Sequence, residues 1–323
     1  MRALFIPASG EPATLAELPT PTPGPGEVLL RVRAAGLNPF DNHIAAGMLE
    51  QLMEHRYPLV LGRDAAGVVE AVGAGVTDVA VGDEVLGHVP FTSPFEAGTI
   101  ADHVVLPAEA VAPKPHDLDF VAAAALPLAA GAARALVRAV DPQPGQVVLV
   151  NGASGGVGRF AVQLLALAGA TVVATASPTS ADRLRTLGAT HVVDYTAGPV
   201  AEQVRALYPD GVDALINLNG WVLEQVPVDA VRRGGVVRTV TQAPDDAALA
   251  ERGLTGGQMM NSPSRSDLAP LAELAASGAL QIDIARVLPL EDAQTGLDDI
   301  EAGSAHGKIV IDLTLRARVT GEA

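Results

Sequence analysis

The chain has 323 residues, 49% of them hydrophobic and only 3% aromatic, with a formal net charge of −16 at pH 7. That length suits one large or two medium domains and buries a substantial core, built here mainly from Ala, Val and Leu. The acidity repels nucleic acid over most of the surface. The absence of cysteine excludes disulfides, thiol nucleophiles and zinc–thiolate sites and agrees with a reducing cytoplasm. The N-terminal apolar run is too short for a signal peptide. The Ala-rich stretch from Val121 to Val140 is a poor membrane span, because it holds Pro127, Gly131, Arg134 and Arg138.

Residues 1 to about 115 read as β-rich. A proline-rich turn, Pro19 to Gly26, leads into a strand at 28–35. Further strands are expected at 66–73 and after the turn at Gly82-Asp83. Short strands separated by Gly/Pro turns suggest a small barrel-like domain. From about 119 the pattern changes to an Ala-rich helix followed by alternating units. Strands are expected at 147–150, 171–175, 191–193, 214–216 and 236–240. Helices are expected at 157–168, 180–187, 199–207 and 222–232. Strands alternating with helices imply βαβ units, a parallel sheet and a ligand at the carboxyl ends of its strands. Amphipathic helices at 267–277 and 293–302 and a strand at 308–313 close the chain.

The densest signal is Asn151-Gly152-Ala153-Ser154-Gly155-Gly156-Val157-Gly158, between a strand and a helix. Such a turn aims free N–H groups and the positive end of a helix dipole at one point, where a phosphate can sit. The same residues fit G-x-S-x-G, the nucleophile elbow of α/β-hydrolases, with Asp298 and His306 in the right chain order for a triad with Ser154. No His-Gly-Gly-Gly segment precedes Ser154, and that reading leaves Gly158 unexplained. Three-residue spacing of Gly152, Gly155 and Gly158 favours a dinucleotide. Ser177 lies 19 residues past Gly158 (177 − 158), where an NAD enzyme commonly has an acid for the ribose 2′-hydroxyl. The strand end Ala174-Thr175-Ala176-Ser177 has none. Ser177 and Ser180 can hydrogen-bond a 2′-phosphate. Arg183 either neutralises that phosphate or is a solvated helix residue.

Several segments in order resemble one family. They are Ala34-Ala35-Gly36-Leu37-Asn38-Pro39-Phe40-Asp41, Leu61-Gly62-Arg63-Asp64-Ala65-Ala66-Gly67, Gly82-Asp83-Glu84-Val85, Ala123-Ala124-Ala125-Leu126-Pro127, the glycine octet, His191-Val192-Val193-Asp194-Tyr195 and Gly307-Lys308-Ile309-Val310. Together they resemble zinc-independent members of the medium-chain dehydrogenase/reductase superfamily, close to the NADPH-dependent quinone oxidoreductases. The resemblance implies a doubly wound Rossmann domain, residues 119–263, inserted into a GroES-like β-rich substrate domain formed by 1–118 and 264–323. It implies a cleft active site, NADPH as cofactor, a quinone or α,β-unsaturated carbonyl as substrate, and a homodimer. Zinc relatives use Gly-His-Glu where this chain has Gly62-Arg63-Asp64, so no metal is expected.

By the same resemblance, Asn38, Asp41 and His43 serve the hydride-transfer site, with His43 standing where many relatives have Tyr. His43 could bond a carbonyl oxygen or give a proton; its alternative is a solvated loop histidine. The cofactor contacts would be Gly152, Ala153, Ser154, Gly155, Gly156, Val157, Gly158, Ser177, Ser180, Arg183, Tyr195, Asn217, Leu218, Asn219, Thr241 and Lys308. Asn217 replaces a family Asp, and Ala132 replaces a Thr near the nicotinamide. Leu49, Ala132 and Trp221 would line the substrate pocket, although the single tryptophan could equally pack in a core. A tailoring enoyl reductase and a non-catalytic NADPH-binding protein are the alternative functions.

Overall fold

A computed structural model describes residues 1–92 and 94–316. They form two compact units: Met1–Gly131 with the described chain from Ser262 onward, and Ala132–Asn261.

The first unit opens with strands β1 (Arg2–Ile6), β2 (Thr14–Glu17) and β3 (Glu27–Gly36), then helix α1 (Pro39–Ala45). Strands β4 (Leu59–Val60), β5 (Asp64–Val72), β6 (Glu84–His88), β7 (His103–Pro107) and β8 (Val111–Pro113) follow. In the middle of β3, Leu30, Val32 and Ala34 are buried while Arg31 faces water, the period-2 pattern of a half-buried strand; Val28 and Leu29 before them and Ala35 and Gly36 after them are buried as well. β3 pairs antiparallel with β5 and β7. Leu30, Val32, Leu37, Ile44 and Leu106 belong to one aliphatic core, where each fully buried side chain contributes about 1.5–3 kcal/mol. The Ala-rich stretch is two helices, α2 (Phe120–Ala124) and α3 (Pro127–Val140). Asp119 caps α2 by accepting from the Ala122 N–H. α2 packs on β3 and β5, so the first unit runs to Gly131, beyond the boundary expected at 118.

The second unit holds β9 (Val147–Asn151), α4 (Gly156–Leu167), β10 (Thr171–Ala176), α5 (Pro178–Thr186), β11 (His191–Asp194), α6 (Val200–Leu207), β12 (Val212–Asn217), β13 (Val231–Thr239), α7 (Asp246–Glu251) and β14 (Thr255–Gln258). Its six strands are all parallel, in the order β11-β10-β9-β12-β13-β14. The chain winds outward from β9 to β11 and then restarts at β12 on the other side of β9. That reversal is the topological switch point of a doubly wound fold. Val148, Leu149, Val150, Val172 and Val173 are fully buried, as strands covered on both faces require. The helix expected at 222–232 does not form. Short 3₁₀ turns at Leu223–Gln225 and Val228–Ala230 flank Pro227, which has no N–H for a helix interior, and β13 already begins at Val231.

The chain returns to the first unit with α8 (Arg265–Ala276), β15 (Ile284–Leu288), α9 (Ala293–Glu301) and β16 (Lys308–Asp312). β16 pairs antiparallel with the end of β3, Val310 opposite Gly36, so the two ends of the chain meet in one sheet. Among the described residues no helix is long and apolar enough to cross a membrane.

Candidate active site

The glycine octet lies at the carboxyl edge of the parallel sheet. β9 ends at Asn151, the turn follows, and the twelve-residue helix α4 starts at Gly156 with Gly155 as its N-cap. Gly152 has φ +82°, and its N–H donates to Thr175 Oγ1 at 2.9 Å. A Cβ on Gly158 would lie 2.4 Å from the Gly152 carbonyl oxygen and 2.6 Å from the Ala153 Cα. Those are backbone atoms, so glycine is what lets helix and strand approach. Gly155 differs. Its φ is −74° and a Cβ there would meet nothing nearer than 3.5 Å. The protein itself does not need glycine at 155; a bare helix N-terminus does. Ala153 is buried, and Ser154 and Val157 are half-buried in the same turn. The Ser154 carbonyl accepts from Arg159 Nε at 2.9 Å. The cradle fits a dinucleotide pyrophosphate.

β10 ends at Ala176, and Ser177 is the N-cap of α5 with Pro178 beside it. Ser177 Oγ bonds Thr179 Oγ1 at 2.9 Å. Ser180 is buried in the first turn, and Arg183 follows one turn later, half-buried. Asp182, the first acid after the strand, pairs with Arg185 at 2.7 Å. Asp194 of β11 lies opposite Ala176, which sets the exposed Tyr195 at the neighbouring strand end.

Asn217 ends β12, opposite Asn151. It is fully buried. Its Oδ1 accepts from Asn151 Nδ2 at 2.8 Å, and its Nδ2 faces Thr239 Oγ1 and Thr241 Oγ1 at 3.1 and 3.2 Å. An aspartate here would bring a charge with no cation among those partners; the amide donates and accepts at once. Leu218 and Asn219 lie over Gly152, held through the Leu218 N–H to the Asn151 carbonyl and Asn151 Nδ2 to the Asn219 carbonyl. Trp221 is exposed, and its backbone N–H donates to Gln225 Oε1. Ala132 opens the second unit, half-buried on α3.

The first unit gathers the other candidates. Asn38 is the N-cap of α1, and its backbone N–H donates to Asp41 Oδ2 at 2.8 Å. Its side-chain Nδ2 donates to Asp64 Oδ2 at 2.9 Å, and its Oδ1 accepts from Lys308 Nζ at 2.5 Å. Lys308 also donates to the Leu37 carbonyl at 2.8 Å. Its ammonium is therefore engaged within this unit, beside the N-cap of α1. Asp64 accepts from the Leu128 N–H at 2.9 Å and faces His88 Nδ1 at 3.1 Å. Asp41, Arg63, Asp64 and His88 are all fully buried. Burial pushes the Asp41 carboxyl up to about 7 and the Arg63 guanidinium down to about 10, and it lowers Lys308. His43, on the last turn of α1, is half-buried, with its ring edge-on to Phe40 at 6.5 Å. Leu49 packs, partly buried, against the core. Arg63 and Asp64 stand out in the sequence as motif residues, but nothing there marks Asp64 as the hub, His88 as its neighbour or Phe95 as the ring beside Arg63. No spacing signals that residues 38, 64, 88 and 308 converge.

Known proteins resemble the chain over nearly all of its length. Residues 24–116 match the family described as alcohol dehydrogenase GroES-like domain, and residues 187–311 match zinc-binding dehydrogenase. The NAD(P)H oxidoreductase RTN4IP1 of Danio rerio is 30% identical over 90% of this chain and 84% of its own. The 2-haloacrylate reductase of a Burkholderia species is 31% identical over 91% of this chain and 93% of its own. The quinone oxidoreductase of Coxiella burnetii superposes with a TM-score of 0.86 at 27% identity, covering 97% of this chain and 99% of that one. The donors for zinc do not fit: the chain has no cysteine, and among the described residues no three His, Asp or Glu side chains are grouped to hold a metal ion. The chain belongs to the zinc-independent, quinone oxidoreductase-like family of the medium-chain dehydrogenase/reductase superfamily, and it is an oxidoreductase served by a nicotinamide cofactor.

Proposed function

We propose that the chain is a metal-free, NADPH-dependent reductase of quinones or α,β-unsaturated carbonyls, a homodimer of the cytoplasm. The observation that carries the reading is the acid-free end of β10, where Ser177, Ser180 and Arg183 follow a strand whose neighbour bears the bare pyrophosphate turn. Ser177 and Ser180 supply hydroxyls, and Arg183 a cation, to a 2′-phosphate that an acid would repel. Tyr195 covers the adenosine side, and Gly152–Gly158 hold the pyrophosphate. Leu218, Asn219 and Thr241 border the rest of the nucleotide, with Asn217 fixing their strand ends from within. The reduced nicotinamide supplies the hydride. Asn38, Asp41 and His43 serve the acceptor: Asn38 fixes the start of α1, Asp41 holds a proton near neutral pH, and His43 offers a bond or a proton to a carbonyl oxygen. Leu49, Ala132 and Trp221 give the acceptor apolar contact. Lys308 acts through Asn38.

The test follows absorbance of NADPH and of NADH against a panel of quinones and enones. Oxidation of NADPH in clear preference to NADH is the expected result. Tight nucleotide binding without turnover of any acceptor would leave a binding protein instead.

A further inference from the structure

Arg63 is a buried cation whose guanidinium makes no hydrogen bond; Asp41 and Asp64 act on it only through space. It is fully buried, and none of its three guanidinium nitrogens has a hydrogen-bond partner. Its guanidinium carbon lies 4.7 Å from the centre of the Phe95 ring. Burying the donors of a charged group without hydrogen bonds is costly, and each such unsatisfied group calls for a reason. Asp41 Oδ1 and His88 Nε2, in the same unit, are buried and unpartnered as well.

The surroundings are more aromatic than the composition suggests. The chain has six phenylalanines, and three of them, Phe40, Phe91 and Phe95, meet here. Phe40 and Phe91 lie 4.5 Å apart, tilted by 49°; Phe95 stands edge-on to Phe40 at 6.5 Å, and His88 edge-on to Phe91 at 5.1 Å. Phe95 is buried, whereas Phe40 and Phe91 are partly open. The aromatic layer thus reaches from water to the ring that carries Arg63. The charge sum points the same way. Arg63 and Lys308 bring two positive charges, and Asp64 brings one negative. Asp41 is fully charged only above about 7. At neutral pH and below, the cluster accommodates one more anion.

We propose that Arg63 is the carboxylate-binding residue of the acceptor site, and that aryl-substituted α,β-unsaturated carboxylic acids are acceptors. This rests on the reductase reading above. Hydride from the reduced nicotinamide forms a C–H bond at the β-carbon, and the C=C π pair moves onto the α-carbon and the carboxylate oxygens. A proton from water or an acid side chain then forms the second C–H bond at the α-carbon. The acceptor gains two electrons and one proton beyond the hydride's nucleus, and the nicotinamide is oxidised by the same two electrons. On an acid the transferred pair arrives beside an existing negative charge. A guanidinium fork in a desolvated site bonds both carboxylate oxygens and offsets that doubled charge without a metal. The aryl ring stacks on Phe40 and Phe91.

The experiment pairs acids with their neutral esters. Binding of 3-phenylpropionate and of its methyl ester is read from the thermal unfolding midpoint, and kcat/KM is measured for cinnamate and methyl cinnamate with NADPH. In the wild type the acid raises the midpoint and the ester does not. In Arg63→Met that shift disappears, and the acid-to-ester ratio of kcat/KM falls about 10- to 100-fold, the worth of hydrogen bonds to a charged group. Arg63→Lys restores part of both. If Arg63→Met does not fold, the wild type still decides: 3-phenylpropionate competes with cinnamate and its ester does not. Equal binding of acid and ester to the wild type overturns the proposal. The midpoint shift needs no turnover, so it judges Arg63 even if no quinone or enone oxidises NADPH, a result that would instead sink the reductase reading.

Discussion

The two candidate sites of this chain are built from different materials. The turn at 152–158 is made of backbone: a glycine with φ +82°, a second whose missing side chain lets a helix close on a strand, and a third that leaves the helix end bare. The cluster around Asp64 is made of side chains from α1, β5, β6 and β16, far apart in the chain and joined by burial. The first site is bound by local sterics, the second by long-range charge balance. Each should therefore break in its own way.

Gly158→Val should have the largest effect. The new side chain meets backbone at 2.4 and 2.6 Å, and overpacking against atoms that cannot move aside costs about 3 kcal/mol or more, a large part of the stability of a domain. Urea unfolding should show early loss of the second unit, with no measurable nucleotide binding. Gly155→Ala is its counterpart. With no collision and an ordinary φ, stability should hold within about 0.5 kcal/mol, while nucleotide Kd rises. A Gly155→Ala protein that binds nucleotide as the wild type does would remove the phosphate from that helix end.

In the charged cluster the corresponding break is in pH dependence. Burial raises the Asp41 carboxyl to about 7 in the folded protein, from an ordinary value of 3.8. Between about 4 and 7 the folded state holds a proton that the unfolded state releases, so the Asp41 contribution is full below that window and is lost as pH rises through 7. The loss is on the order of a few kcal/mol. Asp41→Asn removes it: urea midpoints of the variant and the wild type should converge at about pH 4 and below and separate in the variant's favour near pH 8. Parallel profiles would show that Asp41 is ionised throughout.

Asn217→Ala should come next. It leaves Asn151 Nδ2 and the Thr239 and Thr241 hydroxyls without a shared partner in a buried site, which costs about 1–3 kcal/mol. Asn217→Asp should cost at least as much, since no cation stands among those partners. A neutral outcome for both would mean the amide is not what joins the three strand ends.

How much of this was legible follows from the same contrast. The parallel sheet, the glycine turn and the acid-free end of β10 announce themselves within a dozen residues each, because a strand, a turn and a helix leave periodic and steric marks in adjacent positions. The helix expected at 222–232 failed because its apolar spacing outweighed Pro227, and the strand Thr255-Gly256-Gly257-Gln258 carries two glycines that no strand pattern favours. Asn38 and Asp41 could be marked only by resemblance. Their link to Asp64, Arg63, His88 and Lys308 depends on how β3, β5, β6 and β16 align, and register across a sheet leaves no mark in any one segment.

Arg183→Ala should have the smallest effect and the sharpest reading. Arg183 is half-buried on α5, one turn past Ser180, so its removal should barely change folding. A partly solvated charge pair with phosphate is worth about 1–2 kcal/mol. The Kd for NADPH should therefore rise roughly 5- to 30-fold while that for NADH stays within about twofold, each at one fixed ionic strength. The preference depends on a charge, so added salt should erode the NADPH advantage of the wild type and leave the variant nearly unchanged. Equal weakening of both nucleotides would place Arg183 in the support of α5 rather than against a phosphate, and the preference would then rest on Ser177 and Ser180. Their hydroxyls discriminate by hydrogen bonding alone, and that preference would persist in salt.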